Sequence, residues 1–208
     1  MTQALAAYNE QGIILATDSR ASRFDATGRA ECFALKKLLP LGRHAALLSG
    51  GAGVSVPLSL ALRREIGRRR GLDHPEDMVY FARHFLSKGY QRHLERHGSE
   101  PEGFRRIYFI LAGYAADLPP PGFSLYLLGS EENELPLRNI PTGNQVVMPR
   151  NLGMEMRLVK AMSLGVSLEE LLALSKGFLE KMAAAREEVG PPFYFATITA
   201  AGYREVLG

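Results

Sequence analysis

The chain has 208 residues, of which 46% are hydrophobic, and a formal net charge of +3. This length and apolar content suit one domain with a substantial core, so we expect residues 1–208 to form a single domain. Mixed acidic and basic residues exclude the clustered basic face of a nucleic-acid-binding protein, and no apolar run reaches the roughly 18 residues of a membrane span. The single cysteine, Cys32, excludes an intramolecular disulfide and favours a cytoplasmic location, and we expect it in the core.

Short apolar segments separated by polar turns dominate the first fifty residues and predict antiparallel sheet. The predicted strands cover residues 4–8, 12–18, 30–41 and 44–49, with a polar turn containing Gly28 before the third. Apolar residues then recur at helical spacing. Two consecutive helices are predicted, over residues 53–70 and from about 73–77 to 98.

The second half of the chain repeats this alternation. Strands are predicted at residues 106–114, 123–128 and about 137–142, and, after two helices, at 193–199 and 203–207. The two helices are predicted over about 151–164 and 167–188, the second beginning with a capping box formed by Ser167 and Glu170. Helical pairs that alternate with antiparallel strands can cover the outer faces of two stacked sheets. We therefore expect an α+β fold, a four-layer αββα sandwich.

The beginning of the chain carries its most specific chemical signal. Thr2 follows Met1, and the apolar strand that starts at Gly12 ends in Asp18-Ser-Arg20. A threonine hydroxyl is a poor nucleophile without an adjacent base, and a free α-amine, with a pKa of about 8, supplies a base on the same residue. Threonine is small enough for methionine trimming, so we expect Met1 to be removed. This combination predicts a threonine-type amidohydrolase.

Further residues are expected to complete this site. An ammonium from Lys37 would hold down the pKa of the terminal amine, and Asp18 would keep that lysine charged and oriented. Gly50 has no side chain, so its N–H could approach the oxyanion of a tetrahedral intermediate. Lys36 is the alternative lysine. On one strand the two side chains point to opposite faces, and Lys37 shares the more apolar face, which favours it as the buried lysine.

The order and spacing of several short motifs in this chain match those of a known family. Thr2 stands at the spacing before residues 12–20 that proteasome β-type subunits keep, residues 37–41 are similar to their lysine strand, and residues 49–52 are similar to their glycine turn. The chain thus resembles the proteasome family of amino-terminal-nucleophile hydrolases. Similarity to bacterial members, particularly the Anbu branch, continues at residues 109–113, 124–128 and 189–192.

The resemblance implies a site and an assembly. The implied catalytic residues are Thr2, Asp18, Lys37 and Gly50, with Arg20 and Thr142 in support and an apolar specificity pocket lined by Ala21, Leu48 and Ala52. Peptides or unfolded proteins would be hydrolysed through an acyl-enzyme ester, without a metal or another cofactor. Self-assembly into a homo-oligomeric ring or helical stack would enclose the active sites, and an ATP-dependent unfoldase is left open as a partner. No membrane or nucleic-acid partner is expected.

Two other functions remain compatible with the sequence. One is a catalytically silent scaffold subunit of a proteasome-like assembly, which would not require a free Thr2. The other is an amidase of the same fold that acts on a small acylated amine. Two segments depart from the family pattern: residues 141–144 replace a Gly-Ser-Gly turn but keep the Thr142 hydroxyl, and residues 186–190 carry no serine.

Overall fold

Two five-stranded antiparallel sheets lie face to face, and a pair of helices covers the outer face of each. The computed structural model describes residues 2–24, 30–98 and 105–207. In the first half the elements are β1 Ala4–Tyr8, β2 Ile13–Thr17, β3 Arg20–Phe24, β4 Ala30–Ala34, β5 Leu38–Pro40, β6 Ala45–Gly51, α1 Ser55–Arg68 and α2 Pro75–His97. In the second half they are β7 Ile107–Tyr114, β8 Phe123–Ser130, β9 Arg138–Ile140, β10 Gln145–Met148, α3 Leu152–Ser163, α4 Leu168–Ala185, β11 Tyr194–Thr199 and β12 Gly202–Val206.

The first sheet has the strand order β10-β1-β2-β11-β12 and the second has the order β5-β6-β7-β8-β9. Strands β3 and β4 form a separate two-stranded sheet. Helices α1 and α2 pack on the second sheet, and α3 and α4 pack on the first. The expected α+β, four-layer sandwich is therefore confirmed. No helix within the described ranges is long and apolar enough to cross a membrane.

Alternation along the strands explains why both faces of each sheet are buried. In β1, Ala4 and Ala6 lie in the core between the sheets, whereas Leu5 and Ala7 pack against the helices of the first sheet. Because successive side chains of a strand point to opposite faces, a strand covered on both sides reads as a continuous apolar run. The same double burial applies to β2, β6 and β7. Because both faces of these strands are buried, polar residues such as Asp18 stand at the strand ends.

Some predicted boundaries are wrong. The single strand predicted over residues 30–41 is two strands in different sheets, because the chain crosses from one sheet to the other at residues 35–37. Strands β3 and β10 were not predicted, and α4 ends at Ala185, before the predicted residue 188. Cys32 is exposed on β4 and not in the core. The turn predicted around Gly28 lies outside the described residues.

Candidate functional site

A carboxylate at the end of β2 joins three chain segments. Asp18 is fully buried, and its Oδ1 accepts a hydrogen bond from the backbone N–H of Gln3 at 2.9 Å. Its Oδ2 accepts from the backbone N–H of Arg20 at 3.0 Å. The Nζ of Lys37 lies 3.1 and 3.2 Å from the two carboxylate oxygens. The hairpin register, which pairs Ala4 with Thr17, brings the segment before β1 to the end of β2.

Lys37 is the buried lysine of the pair that the sequence left open. Its side chain is 3% exposed, and its Nζ also donates to the backbone carbonyl of Arg20 at 2.6 Å. Lys36 is exposed and pairs with Glu205 at 2.5 Å. The strand-face argument for Lys37 was wrong, since neither lysine lies in a strand. The crossing between the sheets turns Lys37 inward, and its contact with Asp18 follows from that crossing.

Burial shifts both pKa values of this ion pair. Loss of solvation raises the pKa of Asp18 above its ordinary 3.8, an effect opposed by Lys37 and by the two backbone N–H donors. Loss of solvation likewise lowers the pKa of Lys37 below its ordinary 10.5, and the charge of Asp18 opposes that shift. All four contacts to the carboxylate are made by N–H groups, which suit an ionised acceptor. The protein interior therefore holds one ammonium, that of Lys37, whose charge is balanced by the Asp18 carboxylate.

Tyr108 links Thr2 to the second sheet, and sequence reasoning missed it. Its hydroxyl is buried and donates to the backbone carbonyl of Thr2 at 2.9 Å. Burial, and then the charge of Asp18, raise the pKa of Tyr108, so the hydroxyl keeps its proton at neutral pH. Thr2 is itself 6% exposed. The only sequence signal for Tyr108 was a polar group near the beginning of an otherwise apolar strand.

Gly50 lies directly opposite Tyr108 in the β6–β7 ladder. A Cβ at Gly50 would lie 2.5 Å from the Tyr108 hydroxyl oxygen, so only glycine leaves room for this hydroxyl beside Thr2. Gly51 has a φ of +85°, and a Cβ there would lie 2.0 Å from the carbonyl oxygen of Arg106. Glycine is thus required at both positions, because Tyr108 and the Arg106 carbonyl approach these two residues closely. Tyr108 contacts both this turn and the Thr2 carbonyl, so it connects the turn to Thr2.

Arg20 contributes to the site mainly through its backbone. Its guanidinium reaches away and donates to the backbone carbonyl of Glu187. It also lies against Gly190, where a Cβ would be 2.9 Å from the Arg20 Nε. The Gly190 carbonyl in turn accepts from the N–H of Ser19 at 3.2 Å. Backbone groups of the segment after α4 therefore support the Asp18 turn, where the family pattern led us to look for a serine side chain.

Thr142 does not lie beside Thr2. Its hydroxyl donates to the carbonyl of Leu125 at 2.6 Å, and the nearby Asn144 carbonyl accepts from Tyr8, at the other end of β1. The segment that does reach the Thr2 end is the end of β10, where residues 148 and 149 offer backbone carbonyls to the Gln3 side chain. The expectation that Thr142 supports Thr2 is therefore corrected, because the two residues lie at opposite ends of β1.

The three residues of the expected specificity pocket are not gathered around one opening. Leu48 is fully buried between the sheets, and Ala52 is fully buried between the second sheet and its helices. Ala21 is partly exposed on β3, opposite Phe33. Only Ala21 is accessible, directly after the Arg20 carbonyl that Lys37 contacts.

A cavity of about 640 Å³ opens beside Tyr108, on the side of β7 that faces away from Gly50 and β6. It runs between the edge strands of the two sheets, with Leu127 and Ile140 on one wall and Val146 and Met148 on the other. Near its Thr2 end stand two ion pairs, Arg106–Glu131 and Arg150–Glu155. In the part of the chain that the structure describes, no three His, Cys, Asp or Glu side chains are grouped as a metal site requires.

Comparison with known proteins places this geometry in a fold. No protein-family model matches the sequence, and no curated protein matches it. Among solved structures, the chain is similar to the Anbu (Gly-1) mutant from Hyphomicrobium sp. strain MC1, with a TM-score of 0.66 at 15% sequence identity. The match covers 99% of this chain and 86% of that chain. The chain therefore has an Anbu-like, proteasome-type sandwich fold.

Proposed function

We propose that the chain is a threonine-type peptidase whose nucleophile is Thr2 with its amine free after Met1 removal. The observation that carries this proposal is the buried Lys37–Asp18 ion pair. Its carboxylate also binds the N–H of Gln3, the residue directly after Thr2. A buried ion pair is weak evidence for stability, and its place beside a potential nucleophile favours a catalytic use.

The chemistry needs only this residue and water. The Thr2 hydroxyl oxygen attacks the carbonyl carbon of the peptide bond while its proton passes to the Thr2 amine. The tetrahedral oxyanion collapses, the C–N bond breaks, and the ammonium returns the proton to the leaving nitrogen. The amine then takes a proton from water, which attacks the ester and releases the carboxylic acid. As the bond between the acyl carbon and the Thr2 oxygen breaks, the ammonium returns its proton to that oxygen, and the carboxylic acid keeps the second proton of the water.

Lys37 supplies the positive charge in this scheme. Its ammonium would lower the pKa of the Thr2 amine, so that the amine is a free base near neutral pH. It would also stabilise negative charge on the attacking hydroxyl. Asp18 accepts hydrogen bonds from the Lys37 ammonium through both carboxylate oxygens. The backbone carbonyl of Arg20 accepts a further hydrogen bond from the same ammonium. These contacts preorganise the cation without a metal.

The oxyanion donors are assigned to the turn at Gly50 and Gly51. In a regular strand successive N–H groups point to opposite edges. The N–H of Ser49 points toward β5, where it donates to the Lys37 carbonyl at 3.0 Å. The left-handed φ of Gly51 ends that regular alternation, so we assign the role to the turn and not to the Gly50 N–H alone. Removal of one such donor costs on the order of 100-fold in kcat in related chemistry.

Homo-oligomeric assembly belongs to the same proposal. Leu152, Met156 and Val159 lie on one face of α3 at helical spacing and are 64%, 64% and 53% exposed. A helix of a monomer normally turns its apolar residues inward, and an exposed apolar face suits contact with a second copy. An assembly closed through this face would restrict access to Thr2, and substrates would then be peptides or unfolded segments.

The test uses the chain prepared with Thr2 as its first residue. It is expected to hydrolyse fluorogenic peptide amides and to gain the mass of one acyl group from a β-lactone electrophile. Thr2→Ala should do neither, and the same chain with Met1 retained should lose both activities because its amine is an amide. Equal activity with and without Met1 would overturn the mechanism, and complete inactivity of all forms would favour a scaffold subunit.

A further inference from the structure

We propose that the 640 Å³ cavity beside Tyr108 is the site that binds the leaving-group side of a peptide substrate, over about three residues. This inference rests on the proposed function and extends it to substrate choice. Its volume is within the range of sites that bind small ligands. The substrate class that it fits is an extended peptide with uncharged side chains following the cleaved bond.

The position of the cavity relative to the reacting groups assigns the side. In the second sheet, Lys37 directly precedes β5, Gly50 lies on β6 and Tyr108 on β7, whereas the cavity is built on β8 and β9. Lys37 and the glycine turn thus lie on one side of Tyr108 and the cavity on the other. Ala21, which is partly exposed and directly follows the Arg20 carbonyl that Lys37 contacts, also lies on the side of Lys37, so we assign the acyl chain to that side. The amine that departs lies on the side of the cavity.

The walls of the cavity suit an extended chain. Strand β10 is the edge of the first sheet and β9 is the edge of the second, so each has one side without a neighbouring strand in its sheet. Edge strands bind extended peptides through their free backbone groups. Between these edges the wall side chains Leu127, Ile140 and Val146 are apolar. The backbone edges would hold the peptide and the wall would contact its side chains.

Polar groups define the length and the charge of the occupant. Gln145, at the far end of β10, has a buried Oε1 without a hydrogen-bond partner, which suits a peptide N–H. Gln145 pairs with Ala7 and Met148 with Ala4, so the cavity follows the four residues of β10, which are separated by three residue steps. At a rise of about 3.4 Å per residue this is about 10 Å, the length of a three-residue peptide.

The two ion pairs near the Thr2 end explain the preference for uncharged side chains. Arg106 lies 2.8 Å from Glu131, and Arg150 lies 3.1 Å from Glu155. Each pair satisfies its own charge, so neither offers a net charge to the ligand. A charged side chain would lose solvation against the apolar wall without gaining a partner.

The experiment varies the leaving group while the acyl part of the substrate stays fixed. With the chain that begins at Thr2, kcat/KM should rise about 10-fold as the leaving group grows from one alanine to three, and level off afterwards, with the released peptides measured by chromatography. Gly143→Phe, placed where a Cβ would meet open space in the cavity, should abolish this rise. Gln145→Leu should reduce it.

Gly67→Phe is the matched control, because Gly67 also faces open space but lies on α1, away from the cavity. Rates that are independent of leaving-group length would overturn the proposal. So would an effect of Gly143→Phe on a series with lengthened acyl parts instead.

A binding experiment separates this proposal from catalysis. A labelled trialanine with a free amino terminus should bind Thr2→Ala, as measured by fluorescence anisotropy, and should bind about 10-fold more weakly when Gly143→Phe is added. Binding without any hydrolysis by the chain that begins at Thr2 would refute the proposed function and keep the site. Hydrolysis without this binding difference would refute the site alone.

Discussion

Tyr108 is the residue whose role can be isolated most cleanly. Tyr108→Phe keeps the ring over Gly50 but removes the donor to the Thr2 carbonyl. We expect kcat to fall by about 10-fold with KM nearly unchanged, since the hydroxyl positions the nucleophile and does not touch the substrate. Steady-state kinetics measure this split. The control is Tyr80→Phe, on an exposed tyrosine of α2, which should change neither constant.

The two adjacent lysines make a second matched comparison. Lys37→Ala and Asp18→Asn should each lower peptidase turnover by about 100-fold or more, because they act on one nucleophile as a unit. Lys36→Ala removes a neighbouring charge that pairs with Glu205 at the surface, and turnover should change little. Fluorogenic peptide hydrolysis measures all three. A larger loss of turnover in Lys36→Ala than in Lys37→Ala would refute the assignment of Lys37 as the catalytic cation.

Under the proposed mechanism, the lowered pKa of Lys37 makes activity and stability respond to pH in opposite directions. The folded chain releases this proton below the ordinary pKa of 10.5, so between the folded pKa and 10.5 the unfolded chain binds more protons. This contribution to the free energy of unfolding therefore rises with pH in that window and is lost as pH falls through the folded pKa. Activity that needs the ammonium falls as pH rises through the same window.

We expect kcat/KM to decline before pH 10.5 while the stability difference between the wild type and Lys37→Met grows in favour of the wild type. Urea unfolding and peptide hydrolysis over the same pH series measure the two trends. A parallel loss of activity and stability would mean that unfolding, and not Lys37, sets the alkaline limit.

At the scale of elements, the glycine turn after β6 tests how closely the sheets define the site. Gly51→Ala should lower the free energy of unfolding by at least roughly 1–3 kcal/mol, since alanine must adopt a positive φ and approach the Arg106 carbonyl. Gly53→Ala, two residues later, faces open space and should cost little. Chemical denaturation compares the two. Equal losses would place the constraint outside the turn.

The elements that the sequence predicted are those whose signal is local. Thr2 and Asp18 come together in a single hairpin, so their spacing along the chain was sufficient. The crossing at residues 35–37 was not predictable, because no glycine or proline marks the point where the chain passes from β4 to β5 in another sheet. Strand β10 has only four residues before Pro149, and its partner β1 is distant in sequence.

The same reasoning explains the site residues that were missed or misplaced. Tyr108 reaches Thr2 from 106 positions away, and Arg20 reaches Glu187 over 167. Thr142 was assigned by likeness to a turn motif, but without β10 its distance from Thr2 along β1 was not visible. Periodicity predicts which face of an element is buried, whereas contacts between distant segments follow from the packing of the two sheets.

At the scale of the whole molecule, the apolar face of α3 predicts assembly. Light scattering at micromolar concentration should show particles of at least six chains. Met156→Asp with Val159→Lys should reduce the particle size, because charges would be buried at the contact, while the free energy of unfolding stays close to that of the wild type. The control is Tyr80→Asp, at a large side chain on α2 that is more exposed than Met156 or Val159. A monomeric wild type would refute the assembly.

The contact between Arg20 and the segment after α4 has a consequence for the time course of synthesis. Thr2, the proposed nucleophile, leaves the ribosome well before Glu187 and Gly190, which support the turn that carries Asp18. Domains fold as units during synthesis, so the Asp18 turn reaches its final support only after residue 190 has been made. A chain that has not yet reached residue 187 would therefore carry Thr2 without the support of the proposed active site, and other nascent chains beside it would not be exposed to hydrolysis.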